Sequence, residues 1–144
     1  TWPLIVGGRS NGARVASRTA ETVGAHGVLA LAFPLQPPAR RARGRQELTL
    51  PPDRSLELAA ASRGGAHVLV LNGDRDPFGI PAGTGPAKVV VLKDGTHSLS
   101  RKSVAVFAVV TDWLVQLTLP GTGWSRTAGP VVCVAEEAAR GTLP

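Results

Sequence analysis

Four short runs, residues 4–6, 28–33, 68–71 and 89–92, are apolar without alternation and are bounded by turn residues. A strand with one wet face alternates polar and apolar side chains, so an unbroken apolar run means that both faces are covered. Such strands belong to a parallel sheet with helices on either side, and the spacers must then carry the crossover helices. Residues 11–23 supply the first, with Ala13, Ala16, Ala20 and Val23 at three- and four-residue steps and Gly24 placed to end it. Small side chains there let the helix lie close to the sheet. Residues 55–62 form a shorter second helix with Asp53 as its N-cap. Residues 101–117 form the third, whose apolar stripe is Val104, Phe107, Ala108, Val110 and Leu114, widened by Trp113 and Leu117. The order strand, helix, strand, helix, strand, strand, helix defines the α/β class, a partly parallel sheet with flanking helices.

The chain of 144 residues is 43% hydrophobic and 18% charged, which fits one packed core and excludes a disordered tail as the main feature. A chain of this length removes roughly 68–70% of its unfolded surface from water, so it needs no disulfide or metal staple. The single Cys133 can form no intrachain bridge, and His26, His67 and His97 are too scattered to read as a metal-ligand motif. No metal and no cofactor is expected, and the compartment expected is the cytoplasm. No apolar run approaches the ~18–20 residues of a membrane span, and Thr1-Trp2-Pro3 is not the basic start of a signal peptide. The net charge of +6 comes from 16 basic residues, 13 of them arginine, and by itself speaks of solubility and general anion attraction. Residues 34–45 carry three prolines and the arginines Arg40, Arg41, Arg43 and Arg45, so they form an exposed loop. Beyond the folded body at 1–117, residues 118–144 read as an irregular, mobile tail with one apolar patch at 131–134.

Chemistry concentrates at the first strand-to-helix turn, where Gly8-Arg9-Ser10-Asn11-Gly12 fits the G-x-S-x-G nucleophile elbow. A serine on so sharp a turn wants neighbours two residues away that lack side chains, so that the backbone can tighten and the hydroxyl can project at a helix N-terminus. The bare pattern is weak, but here it falls between an apolar strand and an alanine-rich helix. A serine hydroxyl is a poor nucleophile at neutral pH and needs a base and an orienting acid, which in this motif follow in the order Ser, Asp or Glu, His. Asn72-Gly73-Asp74-Arg75-Asp76-Pro77-Phe78-Gly79 follows the third apolar run, and Asp94-Gly95-Thr96-His97-Ser98-Leu99 follows the fourth. Both lie beyond carboxyl ends of strands, where the functional groups of open α/β sheets converge. Asp76 is the expected acid, with Asp74 left to pair with Arg75 or close the turn, and Asp94 too near His97 to orient it. His26 and His67 are expected to be structural or solvated.

Taken with Phe33-Pro34-Leu35 and Pro37-Pro38, these segments resemble the α/β-hydrolase superfamily, and within it the dienelactone-hydrolase-like group that includes the KANL/Tex-type hydrolase-like proteins. The resemblance covers residues 3 to about 117; its most specific parts are the double-glycine elbow and Arg75-Asp76-Pro77-Phe78-Gly79. Gln36 departs from the histidine usual in that stretch. The resemblance implies Ser10 as nucleophile, His97 as general base and then acid, Asp76 as the carboxylate orienting the imidazole, and the N–H of Asn11 as an oxyanion donor. It also implies that the chain corresponds to the C-terminal half of such a domain, with the second oxyanion donor on a loop that precedes it.

The function expected is hydrolysis of an ester, thioester or lactone of a small acyl substrate, impaired in a chain that lacks the second donor. A non-catalytic hydrolase-like interaction module and polyanion binding by the Arg40–Arg45 loop are the alternatives. The strand at residues 4–6 would form an exposed edge through which copies of the chain self-associate.

Overall fold

The computed structural model describes residues 3–37, 54–83, 87–119 and 132–134. Among these residues five strands form one sheet: β1 (Ile5–Arg9), β2 (Gly27–Leu31), β3 (His67–Gly73), β4 (Lys88–Leu92) and β5 (Val132–Val134). They lie side by side in chain order and every neighbouring pair is parallel. Among the described residues the sheet is parallel throughout and flanked by helices, the α/β class expected from the sequence. Helix α1 (Asn11–Thr19) crosses from β1 to β2, α2 (Ser55–Arg63) precedes β3, and α3 (Ser103–Thr118) follows β4 after a 3-10 turn at Ser100–Lys102. The apolar patch of the expected tail includes the strand β5, paired with β4; the rest of residues 120–144, and Arg40, Arg41, Arg43 and Arg45 of the loop expected at 34–45, lie outside the described residues.

The strand side chains alternate between two apolar layers. Val28, Ala30, Val68, Val70, Val89 and Val91 face α1 and α2, which contribute Ala13, Ala16, Leu58 and Ala61, with Ala20 just beyond α1 in the same cluster. Leu69, Leu71, Val90 and Leu92 face the other way, toward Ala105 and Trp113 of α3. Small side chains thus sit where helices approach on one face and leucines fill the opposite layer. At about 1.5–3 kcal/mol for each fully buried Val or Leu, the run Val68–Leu71, entirely out of water, is the sheet's strongest anchor.

Element boundaries differ from expectation for local reasons. Helix α1 gives way at Ala20, and the chain continues through turns to Gly24, whose φ of 64° lets the N–H of Ala25 reach the carbonyl of Ala20. Strand β2 stops at Leu31 because Ala32 turns to φ 47°. Arg54 occupies the N-cap position of α2 without a side-chain cap bond, and Asp53 lies outside the described residues.

Helix α3 differs in phase. Ala105 and Trp113 are buried, with Val106, Val109, Val110, Leu114 and Leu117 packed around them, whereas Val104, Phe107 and Ala108 face outward. Phe107 is 72% exposed. The helix is apolar on nearly every side, so periodicity selects no face; the sheet does. One aromatic contact marks the choice: a Cβ on Gly27 would stand 3.0 Å from the Trp113 ring, so β2 and α3 meet there with no room to spare.

The phase is testable. Trp113→Ala is expected to cost about 3–5 kcal/mol of unfolding free energy, and Phe107→Ala no more than about 0.5 kcal/mol. Urea unfolding of both variants checks this; equal losses would mean that α3 faces the sheet differently.

Candidate active site

Strand β1 ends at Arg9 and α1 begins at Asn11, leaving Ser10 alone to make the turn, with φ 54° and ψ −120°. A non-glycine residue in so sparsely populated a region stores about 1–3 kcal/mol of strain. Main-chain bonds on both sides hold it. The Ser10 N–H donates to the carbonyl of Leu31 at 2.9 Å, and the Ser10 carbonyl accepts from Ala13 at 3.0 Å. The flanking glycines are unequal: a Cβ on Gly8 would meet the carbonyl carbon of Gly12 at 2.5 Å, while a Cβ on Gly12 would meet nothing within 4 Å. The requirement for two missing side chains thus holds at Gly8 only, because there the helix backbone folds back onto the strand.

The loops after β3 and β4 are laced together by main chain. Asp74 N–H donates to Leu92 at 3.1 Å and Arg75 N–H donates to Gly95 at 2.9 Å. The glycines of these loops touch: a Cβ on Gly73 would lie 2.1 Å from the Gly95 oxygen, and one on Gly95 would lie 2.8 Å from the Gly73 Cα. Asp94 and Leu99, at φ 56° and 54°, bend the second loop so that His97 turns back toward the first.

The three expected side chains meet here. His97 Nδ1 lies 2.8 Å from Asp76 Oδ2, and His97 Nε2 lies 2.9 Å from Ser10 Oγ. A carboxylate only accepts, so Nδ1 carries the ring proton toward Asp76 and Nε2 is left to accept from the Ser10 hydroxyl. The Asp76 carboxylate is buried, and its other oxygen accepts the N–H of Phe78 at 2.9 Å. The Phe78 ring stands edge-on to the imidazole with centroids 4.5 Å apart, fixing the ring plane. Asn11 begins α1, where the first N–H groups of a helix lack helical partners and carry its positive end.

Two supports escaped the sequence reading. Asn72, fully buried at the end of β3, accepts the N–H of Phe33 at 2.9 Å and donates to the carbonyls of Phe33 at 3.0 Å and Gly79 at 3.3 Å. It pins the end of β2 to the Asp76 loop. Arg9 donates from Nη1 to the carbonyl of Ser98 at 3.0 Å, tying the elbow to the His97 loop. Nothing in an isolated Asn-Gly pair or in the variable position of the elbow signals these partners, which are 39 and 89 residues away.

Other expectations are redirected. Arg75 pairs with Asp94, not with Asp74, and the pair is exposed enough to contribute only about 0–1 kcal/mol. Asp74 is exposed, its main chain closing the turn, and His26 is exposed away from the cluster. The Gln36 side chain is exposed, while its N–H donates to Phe78 at 2.8 Å. Among the described residues no three His, Cys, Asp or Glu side chains group as metal ligands, and no helix is long and apolar enough to cross a membrane.

Among the described residues, two concavities are relevant to the site. The larger, about 430 Å³, lies between α3 and the sheet, among Leu29, Leu31, Leu99, Val106 and Val110, and contains none of the three residues. The smaller, about 220 Å³, opens at Ser10 and is lined by Asn11, Arg14, Pro34, Arg54 and Phe78. Chemistry rather than size marks the second as the site.

A family model described as an alpha/beta hydrolase domain matches residues 1–107, so the chain belongs to the α/β-hydrolase family. No curated protein and no solved structure matches it.

The glycine asymmetry predicts opposite outcomes for two similar changes. Gly8→Ala forces backbone apart and should cost about 1–3 kcal/mol or more, whereas Gly12→Ala, within the first turn of a helix, should be neutral or stabilising by up to about 1 kcal/mol. Thermal unfolding of the pair checks this. Asn72→Ala strands the buried N–H and carbonyl of Phe33 and is expected to cost at least about 2 kcal/mol; a loss below about 0.5 kcal/mol in the same assay would show that the side chain is not the clamp.

Proposed function

We propose that this protein is a serine hydrolase of ester, thioester or lactone bonds, working through Ser10, His97 and Asp76 and an acyl-enzyme. The observation that carries the reading is the continuous hydrogen-bonded chain from Asp76 through His97 to a serine held in a strained elbow. In this reading the Ser10 oxygen attacks the substrate carbonyl carbon as His97 Nε2 takes the hydroxyl proton. Asp76 stays ionised, stabilises the imidazolium and keeps the ring in the required tautomer. The oxyanion receives the N–H of Asn11 and the positive end of α1. His97 then gives its proton to the departing alcohol, thiol or alkoxide, which leaves the acyl group on Ser10. Water, deprotonated by the same imidazole, releases the acid and restores the hydroxyl.

Within the superfamily, Arg75-Asp76-Pro77-Phe78-Gly79 and the double-glycine elbow support assignment to the dienelactone-hydrolase-like group. Three members of that block act in the geometry: Asp76 binds the imidazole, Phe78 packs on it and Gly79 supplies a carbonyl to Asn72. One cysteine in the chain favours a reducing compartment, the cytoplasm.

A fluorophosphonate probe tests the reading directly, because the Ser10 oxygen would displace fluoride and form a stable phosphonyl ester. Peptide mass spectrometry is expected to place the adduct on Ser10, with no adduct in Ser10→Ala and a rate at least about 10²-fold lower in His97→Ala. Labelling at another residue, or labelling indifferent to His97, would refute the assignment.

A further inference from the structure

The pocket at Ser10 carries an excess of positive charge. Arg14, one helical turn beyond the serine, is committed: Nε donates to Glu57 Oε2 at 3.0 Å and Nη2 donates to Oε1 at 2.6 Å. Hydrogen bonding to Glu57 raises the Arg14 pKa against the opposing effect of burial. Arg54 is different. Its Nη1 donates to the neutral carbonyls of Pro34 at 3.1 Å and Gln36 at 3.2 Å, and its buried Nε has no partner among the described residues. Burial and the charge of Arg14 together lower the Arg54 pKa, with Glu57 opposing them only in part. Among the described residues, two guanidinium groups and one carboxylate therefore leave about one uncompensated positive charge beside the nucleophile. A partly desolvated cation without a counter-ion is costly, and an anionic oxygen arriving in the pocket would relieve that cost.

We propose that the acyl substrate of this site bears an anionic oxygen group, a carboxylate or a phosphate, and that Arg54 is the residue that selects it. The inference rests on the hydrolase reading of Ser10 and adds the substrate class. Arg54 and Ser10 line the same cavity of about 220 Å³, so a small acyl group can present its anionic end to the guanidinium while its carbonyl faces the serine. The two carbonyls that accept from Nη1 orient the guanidinium without neutralising it, which preserves its charge for a ligand. Glu57 restrains the site by occupying Arg14. Arg9, by contrast, is spent on the carbonyl of Ser98 and does not line this pocket.

Unreactive probes separate recognition from catalysis. Calorimetric titration of the 144-residue chain with succinamate and methyl phosphate, against neutral succinamide, should show binding of an anion at least about tenfold tighter than of the neutral amide. The tighter of the two anions identifies the group, carboxylate or phosphate. Arg54→Gln should weaken anion binding at least about tenfold and erase the preference over succinamide. Glu57→Gln, which frees Arg14 and adds one positive charge, should tighten it several-fold, an effect that a purely loop-tethering Arg54 does not produce. Equal binding of succinamate and succinamide, unchanged anion binding in Arg54→Gln, or no tightening in Glu57→Gln would overturn the proposal. Failure of the hydrolase reading would appear separately, as absence of the Ser10 adduct, since these probes form no covalent bond.

Discussion

The main chains that follow β3 and β4 touch at Gly73 and Gly95, and the candidate site hangs on that contact. Side chains at either glycine would push the loops apart, because the atoms they would meet are backbone and cannot rotate away. With both glycines in place, hydrogen bonds from Asp74 and Arg75 register one loop on the other. Asp76 and His97 then meet at hydrogen-bond distance although they are 21 residues apart. The parallel sheet supplies the platform: β3 and β4, buried on both faces, end at the same edge as β1, so the loops after them lie beside the start of α1.

Ser10 joins this pair from a third strand end, and its position depends on a different close approach, that of Gly8 to the backbone of Gly12. Arg9 and Asn72 connect the three loops into one unit, the first by reaching the main chain beside His97 and the second by bonding Phe33 and Gly79. Strain at Ser10 is sustained because β2, through the carbonyl of Leu31, and the first turn of α1 both grip its main chain. Around the rim, Arg14 is neutralised by Glu57 whereas Arg54 pairs with no carboxylate among the described residues, so the polarity of the pocket is set by residues outside the hydrogen-bonded chain itself.

Much of this was legible in the sequence because the features involved are local or repetitive. Continuous apolar runs announce a doubly covered sheet, and an elbow between a strand and an alanine-rich helix announces a projecting serine. The choice of Asp76 over Asp74 could be argued from neighbours within the same turn. The phase of α3 could not be read, since a helix with apolar residues on every side offers no preferred face until the sheet is present; Phe107 and Trp113 look alike in sequence and end on opposite sides. Nor could the clamp at Asn72 or the pairing of Arg14 with Glu57, 43 residues apart, because such partners are set by topology. Arg75 shows the same limit: its partner is not the adjacent aspartate but one on the neighbouring loop. The strand β5 was visible only as an apolar patch too short to carry a periodicity.

The candidate site depends on the tautomer and restraint of one imidazole: His97 must present a proton to Asp76 from Nδ1 and a lone pair to Ser10 from Nε2. Proton NMR of the 15N-labelled chain reads this directly. A strongly downfield, slowly exchanging Nδ1 proton on His97 is expected, and it should disappear in Asp76→Ala while the backbone amide spectrum remains that of a folded protein. A His97 ring protonated on Nε2 instead, or an Nδ1 proton indifferent to Asp76, would contradict the account, because the serine would then have no base aligned to accept its proton.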